Sequence, residues 1–573
     1  MDENGSSKNA PKNKWNLPLT VFFKDARLVF KMDSLAKEIL GIAFPAALAV
    51  AADPLASLID TAFMGHLAPE ELAAAGVSIA LFNQASKITI FPLVSITTSF
   101  VAEEDTIEKI NTTAAEKQFN ENIKGKSNEV MPDDHLLQDI EKCASKENNK
   151  TPTESFAANG DRNDLMPKRF VPENMETNGT LKNETNNEDD ADRNICKSYS
   201  VTGSDNKRGM KARTKKRHIA SASTALLFGT ILGFLQAATL IFATKPLLSA
   251  MGLKHGSPML IPAVKYLRLR SLGAPAMLLS VAMQGIFRGF KDTTTPLYVI
   301  VSGYALNIAL DPILIFYCKL GIRGAAISHV LSQYMMAFSL LLILVKKVDL
   351  LSPSVKDLQI VRFLKYGSLL LAKVLAVTFC VTLAASLAAR LGSIPMAAFQ
   401  TCLQVWLTSS LLADGLAVAV QAILACSFAE KDYDKVTATA TRTLQMGFVL
   451  GVGLSLVGVG LYFGAGLFSK SVLVVHIIRI GVPFVAATQP INTLAFVFDG
   501  VNYGASDFAY SAYSLVLVSI ATIASLFLLY QRKGYIGIWI GLSIYMTLRM
   551  LAGVWRMGTG TGPWRFLRDR SLP

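Results

Sequence analysis

Long apolar stretches without a charged side chain constrain this chain more than any other feature. Ala222–Ala243, Ala325–Val345 and Met446–Phe468 each contain no Asp, Glu, Lys or Arg. A helix needs about 20 such residues to cross a bilayer. Only 17% of the 573 residues are charged, against about 25% in an ordinary soluble protein. The sequence therefore predicts an all-α polytopic membrane protein and excludes a string of soluble domains.

Such segments recur along the chain and predict twelve membrane-spanning helices in two lobes of six. The first lobe (38–346) contains spans near 38–66, 71–101, 220–250, 259–288, 293–318 and 322–346. The second lobe (363–556) contains spans near 363–391, 395–429, 434–464, 471–503, 507–530 and 535–556. An N-terminal segment (1–37), a lobe linker (347–362) and a C-terminal tail (557–573) complete the predicted organisation.

A polar insert, residues 104–217, separates the second and third spans. Of the 43 acidic residues in the chain, 23 lie between Glu103 and Arg217. The insert is also rich in Asn, Lys, Ser and Thr and poor in aromatic residues. Such a segment cannot bury enough apolar surface to offset its chain entropy. We therefore predict that the insert is disordered.

The distribution of basic residues predicts the orientation in the membrane. The first 37 residues carry seven Lys and Arg, and Lys207–Arg217 carries seven more. The loops that follow the odd-numbered spans carry only seven between them. Basic residues concentrate on the cytosolic side, so both termini, the insert and the lobe linker are predicted to be cytosolic. The basic run before span 3 is first a topology signal, and contact with anionic lipid is the alternative.

The two halves of the chain resemble each other at fixed offsets. Gly289 and Asp292 correspond to Gly504 and Asp507, 215 positions later, whereas Gly65 corresponds to Gly392, 327 positions later. The difference of 112 residues is close to the length of the insert. Without the insert, two six-helix units of the same topology remain. Duplicated bundles with a site between them are a transporter architecture.

Several other classes are disfavoured by the residues present. The net charge of +13 is spread over many short loops and forms no basic patch with interleaved aromatics, so nucleic acid is not the expected partner. Six cysteines make no disulfide framework in a chain of this length. The sequence has neither a phosphate-binding G-x-x-x-x-G-K-[ST] loop nor an H-E-x-x-H metal motif. We expect no enzyme, no cofactor and no metal, and a carrier that runs on gradients.

Acidic residues inside the spans of the first half suggest an ion site, because charges at bilayer depth are costly and usually functional. Asp53 and Asp60 lie two turns apart in span 1. Asn307 and Asp311 in span 5 are four residues apart and share a helix face. We predict a proton or cation site at these acids. The alternative is a structural ion pair with Lys87 as counter-ion. For Asp53, which precedes a proline, the alternative is that its carboxylate only binds backbone groups that the proline leaves without a helical partner.

The second half carries a different polar set. Lys and Arg near span ends often reach the membrane surface with their side chains, but four cations lie deeper, Lys87 and Arg270 in the first half and Lys373 and Arg479 in the second. As a set they favour an anionic substrate. Each alone could instead be a salt-bridge partner. The predicted substrate-binding residues are Lys87, Arg270, Lys373, Gln404, Asp414 and Arg479.

Four segments of this sequence resemble the MATE (multidrug and toxic compound extrusion) family in its DinF-like branch. They are FPAALAVAADPLASLIDTAFMGHL, SFVAEE, NIALDPILIF and GIRGAAISHVLSQY. The long link between spans 2 and 3 is similar to that of the plant citrate exporters in this branch, which act in aluminium tolerance and iron homeostasis. The resemblance implies two six-helix lobes around a central cavity and antiport coupled to H+ or Na+.

The family motifs correspond to particular residues of this chain. The aspartate of the span 1 D-T motif corresponds to Asp60, and the proline at which that helix bends corresponds to Pro45. The asparagine and aspartate of the span 5 motif correspond to Asn307 and Asp311. The chain departs from the family at His329, where many relatives carry threonine. We include His329 in the coupling site because the charge of an imidazole changes most easily near neutral pH.

Together these patterns predict a secondary active transporter that exports an organic acid anion, with citrate first, by proton-coupled alternating access. It is expected to act at the plasma membrane as a monomer in contact with lipid, with Na+ as the alternative coupling ion. A second hypothesis is an exporter of organic cations, drugs or secondary metabolites on the same fold. A third is a membrane receptor or scaffold, against which the buried acids and the repeat argue.

Overall fold

A computed structural model describes residues 31–128 (apart from 65 and 68), 217–251, 259–349, 359–467 and 472–569. The chain divides into two units, one formed by Met1–Ala115 with Lys216–Pro573 and the other by Glu116–Lys215. The twelve predicted spans all fall in the first unit. Of the second unit, only the residues up to Asn128 are described, and the possible glycosylation sites Asn178 and Asn183 lie outside the described residues.

The first unit is built of helices, which confirms the predicted fold class. Spans 1 to 6 are formed by Ser34–Met64, Pro69–Asn128, Ala220–Phe242, Leu260–Ser271 with Ala274–Gly289, Thr294–Pro312 and Ile322–Lys347. Spans 7 to 12 are formed by Ile360–Arg390, Ser393–Ala429, Tyr433–Phe463, Val472–Gly504, Phe508–Lys533 and Tyr535–Gly558. Short helices lie at Thr244–Ala250 and Arg565–Asp569. Span 1 continues as one helix through Pro45, the predicted bend.

Span 4 is broken in its middle. Its two helices have 12 and 16 residues and are separated by Leu272 and Gly273. Pro275, at the start of the second helix, has no backbone N–H and cannot continue the hydrogen-bond ladder of the first. Neither half alone has the length needed to cross a bilayer. Eleven helices among the described residues are long and apolar enough to do so, and the broken span 4 is the twelfth.

The helix of span 2 extends well past the membrane segment, and here the prediction of disorder was wrong. The helix runs to Asn128, so 104–128 of the insert is helical. Lys109 Nζ lies 2.6 Å from Asp105 Oδ2, one turn earlier on this extension. Extending an existing helix adds one hydrogen bond per residue without a new nucleation cost. Composition alone does not reveal this, because the polar residues of the extension are also good helix formers.

The end of the insert is also ordered. Arg217–His218 pairs as a parallel two-residue strand with Val348–Asp349 at the start of the lobe linker. This pairing ties the entrance of span 3 to the exit of span 6. Residue 217 therefore also contradicts the prediction of a fully disordered insert.

The repeat seen in the sequence recurs as repeated packing. In span 4, a Cβ added to Gly289 would lie 2.9 Å from Cβ of Val101 in span 2. In span 10, a Cβ added to Gly504 would lie 2.8 Å from Cβ of Leu424 in span 8. Both glycines let a fourth helix approach the second helix of its lobe closely. The two lobes are therefore built on the same internal contact.

In the described part of the chain, the two lobes meet at only one end. This end carries the insert and the lobe linker, and we call it the insert end. The hydrophobic clusters that combine both lobes take their first-lobe residues from 35–46, 96–102 and the start of span 3. Phe100 lies in one of these clusters, with its ring 5.2 Å from that of Phe363. Residues around Met64 and Phe82 pack only within the first lobe, and those around Trp539 only within the second.

Candidate functional site

Asp60 of span 1 lies against His329 of span 6 inside the first lobe. The two residues are 8% and 7% exposed, and His329 Nδ1 is 3.4 Å from Asp60 Oδ2. Sequence reasoning assigned both to the coupling site, and the structure places them in contact. A carboxyl group and an imidazole so arranged can exchange a proton.

Asn307 and Asp311 of span 5 join the same group through Ser328. Asn307 Nδ2 donates to Asp311 Oδ1 (3.3 Å) and to Ser328 Oγ (3.4 Å). Ser328 Oγ donates in turn to Asp311 Oδ1. The carboxyl groups of Asp60 and Asp311 also interact directly. We call Asp60, Asn307, Asp311, Ser328 and His329 the first-lobe cluster.

The backbone changes where span 5 carries this cluster. The α-helix ends at Pro312, and a wider π-helical turn, Ile313–Tyr317, follows directly. Pro312 cannot donate the backbone hydrogen bond that a regular helix needs at this position. Such turns are frequent at functional sites. Asp311 therefore lies in the last regular turn before the irregular backbone.

Three buried oxygen atoms of the first-lobe cluster have no hydrogen-bond partner among the described residues. They are Oδ1 of Asp60, Oδ1 of Asn307 and Oδ2 of Asp311. A buried polar atom without a partner is costly, and two adjoining carboxyl groups resist being ionised together. A proton or a small cation at these oxygens would relieve both costs. The arrangement is therefore suited to binding and releasing a coupling ion.

Arg270 belongs with these acids and not with the other predicted cations. Its guanidinium lies 4.5 Å from the ring centroid of Phe82, and its charged neighbours include Asp53 and Asp60. The residue is 6% exposed. Asp53 is itself exposed and accepts a hydrogen bond from Tyr304 (2.6 Å) at the edge of the cluster. Arg270, and not Lys87, is thus the cation that the fold places near the first-lobe acids.

Lys373 of span 7 is the centre of a second polar group, in the second lobe. Its Nζ lies 2.8 Å from Asp499 Oδ1 and donates to the hydroxyl oxygens of Tyr503 (2.6 Å) and Ser511 (2.8 Å). Arg549 Nη2 donates to the other oxygen of Asp499. We call these five residues the second-lobe cluster. It brings together spans 7, 10, 11 and 12.

The other predicted substrate-binding residues do not join one site. Lys87 and Arg479 are exposed, and neither has a salt bridge to a described residue. Gln404 lines a cavity of about 640 Å³ between spans 8 and 9, opposite Leu454 and Val457. Asp414 is half-buried. Its charged neighbours are Arg288, Arg549 and Asp499.

Sequence reasoning missed Ser328, Asp499 and Arg549. Asp499 and Arg549 are charges within the largely apolar spans 10 and 12, so the rule that directed attention to Asp60 also applies to them. Ser328 carries no comparable signal, because serines are common in these helices. Its role becomes visible only when spans 5 and 6 are packed together.

Comparison with known proteins gives the family. A family model described as MatE matches residues 211–313 and 370–528. Protein DETOXIFICATION 43 of Arabidopsis thaliana is 58% identical over 557 residues, 97% of this chain and 96% of that protein. Protein DETOXIFICATION 42 of the same plant is 53% identical over 573 residues, 99% of this chain and 100% of that protein.

Solved structures share the fold at much lower identity. The crystal structure of MATE in the bent conformation aligns with a TM-score of 0.68 at 16% identity, covering 96% of this chain and 99% of that one. The predicted resemblance is therefore confirmed in sequence along nearly the whole chain and in fold. The chain belongs to the MATE family of membrane transporters.

Proposed function

We propose that this transporter exports an organic acid anion, with citrate as the first candidate, by proton-coupled alternating access. It acts at the plasma membrane as a monomer, with both termini in the cytosol. Citrate carries up to three carboxylates, so a carrier for it needs unneutralised cations inside the membrane. The charge of the second-lobe cluster and its neighbours carries the proposal.

The first-lobe cluster and the second-lobe cluster have opposite charge balance. The second-lobe cluster holds two cations, Lys373 and Arg549, against one acid, Asp499, and the nearby acid Asp414 has Arg288 of span 4 among its charged neighbours. The excess of positive charge favours an anion, whereas a site for organic cations needs an excess of acids with aromatic walls. The first-lobe cluster carries the excess of acids, which supports a separate site for the coupling ion.

Proton coupling is assigned to the first-lobe cluster. Protonation of Asp60 or Asp311 would satisfy one of the unpartnered oxygens described above and remove a buried negative charge. Loss of that charge changes the strength of the contacts among spans 1, 5 and 6. A change in these contacts would in turn alter the contact between the two lobes. His329 adjoins Asp60 and would pass the proton to it.

The membrane potential favours export of such an anion. Moving one charge through 100 mV is worth about 2.3 kcal/mol. A trivalent anion that leaves a cell held at roughly −120 mV therefore gains about 8 kcal/mol. Proton antiport then serves mainly to gate the carrier.

The insert end is assigned to the cytosol on the distribution of Lys and Arg. The lobes are joined at that end through the clusters around Phe100 and Ile39. With the insert end in the cytosol, this arrangement is the outward-facing state. We call this contact between the lobes the joint. Separation of the lobes at the joint would then admit citrate from the cytosol.

Efflux from oocytes tests the proposal. Cells expressing the full chain are loaded with labelled citrate or with a cationic dye, and release is followed at several external pH values. Citrate release above that of water-injected cells, dependent on pH, supports the proposal. Release of the dye without citrate release contradicts it and favours the organic-cation exporter. Asp60→Asn with Asp311→Asn is the matched control, since it keeps the fold's shape while removing the coupling group.

A further inference from the structure

We propose that Lys373 and Arg549 form a binding site for the carboxylates of a di- or tricarboxylate anion, and that Asp499 takes the place of one such carboxylate when the carrier is empty. This inference rests on the proposed export of an organic anion. It adds the atoms that would hold the anion and an internal group that competes with it.

Asp499 bridges the two cations in the manner of a ligand. Its Oδ1 lies 2.8 Å from Lys373 Nζ, and its Oδ2 accepts from Arg549 Nη2. One carboxylate therefore serves two cations on spans 7 and 12. A substrate with two carboxylates can supply one to each cation, which the single side chain of Asp499 cannot do.

Arg549 has unused hydrogen-bonding capacity. A guanidinium group carries five N–H donors. The Nε of Arg549 is buried and has no partner among the described residues, and Nη1 reaches only the Met546 sulfur, at 3.9 Å. The side chain is 9% exposed. This unpartnered Nε leaves Arg549 able to donate to a further acceptor, because Arg binds carboxylates through two parallel hydrogen bonds.

Lys373 is held in position before any ligand arrives. The hydroxyl groups of Tyr503 and Ser511 accept two hydrogen bonds from its ammonium group, which lies 4.6 Å from the centroid of the Tyr503 ring. A flexible lysine fixed in this way loses little further freedom when it binds an anion. Tyr503 is therefore a positioning residue for the proposed site.

Asp499 is also more accessible than the two cations that it bridges. Its side chain is 16% exposed, against 5% for Lys373 and 9% for Arg549. An incoming anion meets the carboxylate of Asp499 before it meets the cations. Asp414 is half-buried nearby and has Asp499, Arg549 and Arg288 as charged neighbours; its charge acts alike on Asp499 and on a carboxylate that replaces it.

The test measures citrate binding and citrate transport separately. Purified full-length protein in detergent is titrated with citrate, succinate and acetate, and thermal stabilisation gives each Kd. KM for citrate efflux is measured in oocytes. The variants are Asp499→Asn, Arg549→Lys and Tyr503→Phe. Asp507→Asn is the matched control. Asp507 also pairs with an arginine of span 12, since its Oδ2 lies 2.6 Å from Arg556 Nε, but it lies outside the second-lobe cluster.

We expect Asp499→Asn to lower the Kd and KM for citrate about tenfold, since the internal competitor is gone. Arg549→Lys should raise both about tenfold, because lysine keeps the charge but not the paired donors. Tyr503→Phe should raise both less, and Asp507→Asn should change neither. Wild-type protein should bind succinate more tightly than acetate, since the two carboxylates of succinate can each bind one cation, whereas acetate has only one carboxylate.

The outcomes separate the inference from the proposed function. Wild-type protein that neither binds nor exports citrate overturns the proposed function. Wild-type protein that exports citrate, with KM unchanged in Asp499→Asn and Arg549→Lys, overturns only the site. An equal change in Asp507→Asn also overturns it, because the effect would then be one of general charge. If Asp499→Asn fails to fold, Arg549→Lys and Tyr503→Phe decide the question.

Discussion

Gln421 of span 8 binds Ser99 of span 2 across the boundary between the two lobes. Gln421 Nε2 donates to Ser99 Oγ at 2.9 Å and to the carbonyl oxygen of Ser95 at 2.7 Å. Ser99 Oγ donates onward to the carbonyl oxygen of Tyr503 (2.8 Å), whose hydroxyl group binds Lys373. Tyr503 therefore links the contact between the lobes at the insert end, which binds its backbone carbonyl, to the second-lobe cluster, which binds its hydroxyl group.

Replacement of Gln421 by Leu should loosen this joint. Two buried hydrogen bonds of about 1 kcal/mol each would be lost, enough to raise the open population about thirtyfold. Cys426 is a natural reporter, because it is buried in the joint with Sγ 3.8 Å from the Ala102 carbonyl oxygen. In a variant with Cys426 as the only cysteine, maleimide labelling from the insert side should accelerate by that factor.

Gln489→Leu is the control for that measurement. Gln489 is equally buried, but its side chain accepts from Ser409 within the second lobe. Labelling of Cys426 should be unchanged in this variant. Equal acceleration in both would mean that general destabilisation, and not the joint, exposes the cysteine.

Asp60→Asn and Asp311→Asn should each reach the membrane and lose pH-dependent efflux. Asparagine keeps the shape and fixes a neutral side chain, so the cluster could no longer take up and release a proton. His329→Thr should shift the pH profile without abolishing transport, since the adjoining carboxyl group remains. Efflux against external pH is the measurement. Unchanged profiles in both Asn variants would move the coupling site elsewhere, with Asp414 as the next candidate.

Gly500→Ala should destabilise the protein, whereas Gly453→Ala should not. A Cβ at Gly500 would lie 2.3 Å from the carbonyl oxygen of Ala417, while one at Gly453 has nothing within 4 Å. Forced overpacking costs about 1–3 kcal/mol, and replacing glycine by alanine in an open helix position gains up to about 1 kcal/mol. Thermal unfolding in detergent would show Tm moving in opposite directions. Equal Tm values would contradict the close contact of spans 8 and 10.

The carboxylate of Asp292, between spans 4 and 5, should contribute stability that acid removes. Burial alone would raise its pKa, but hydrogen bonds from Lys347 (2.6 Å) and Thr295 outweigh burial and hold the pKa below its usual value. Such a group stabilises the fold above its unfolded-state pKa, and the contribution disappears as the pH falls through the folded-state pKa. Asp292→Asn should therefore lower Tm near neutral pH. The Tm difference should begin to shrink as the pH falls below about 4, the usual pKa of an aspartate, and should disappear below the folded-state pKa. A Tm difference that stays constant with pH would refute this.

The sequons at Asn178 and Asn183 should remain unmodified when the protein is expressed in a eukaryotic cell. The basic residues around the insert predict that it stays on the cytosolic side, away from the glycosylating enzyme. Glycosidase treatment should leave the electrophoretic mobility unchanged, whereas a sequon engineered into a loop after an odd-numbered span should respond. A shift at the native sequons would reverse the predicted topology.

The span pattern and the shared face of Asn307 and Asp311 could be predicted because both depend on short-range information. A run of about 20 apolar residues is itself the condition for crossing a bilayer. Asn307 and Asp311 share a face because they are four residues apart on one helix. The helical start of the insert escaped prediction, since a polar composition is compatible both with disorder and with a helix extended from span 2.

The sequence by itself determined the membrane-spanning helices, the internal repeat and the position of each buried charge along its own span. Only the tertiary structure decided which charges meet. Lys373 pairs with Asp499, 126 positions away, and Asp499 pairs with Arg549, a further 50 positions along the chain. Arg270 lies with the first-lobe acids. The physical reason is that hydropathy fixes a helix across the membrane but leaves its rotation and its neighbours open. Close contacts such as those at Gly289 and Gly504 set the rotation and the neighbours of each helix, and thereby decide which charges pair.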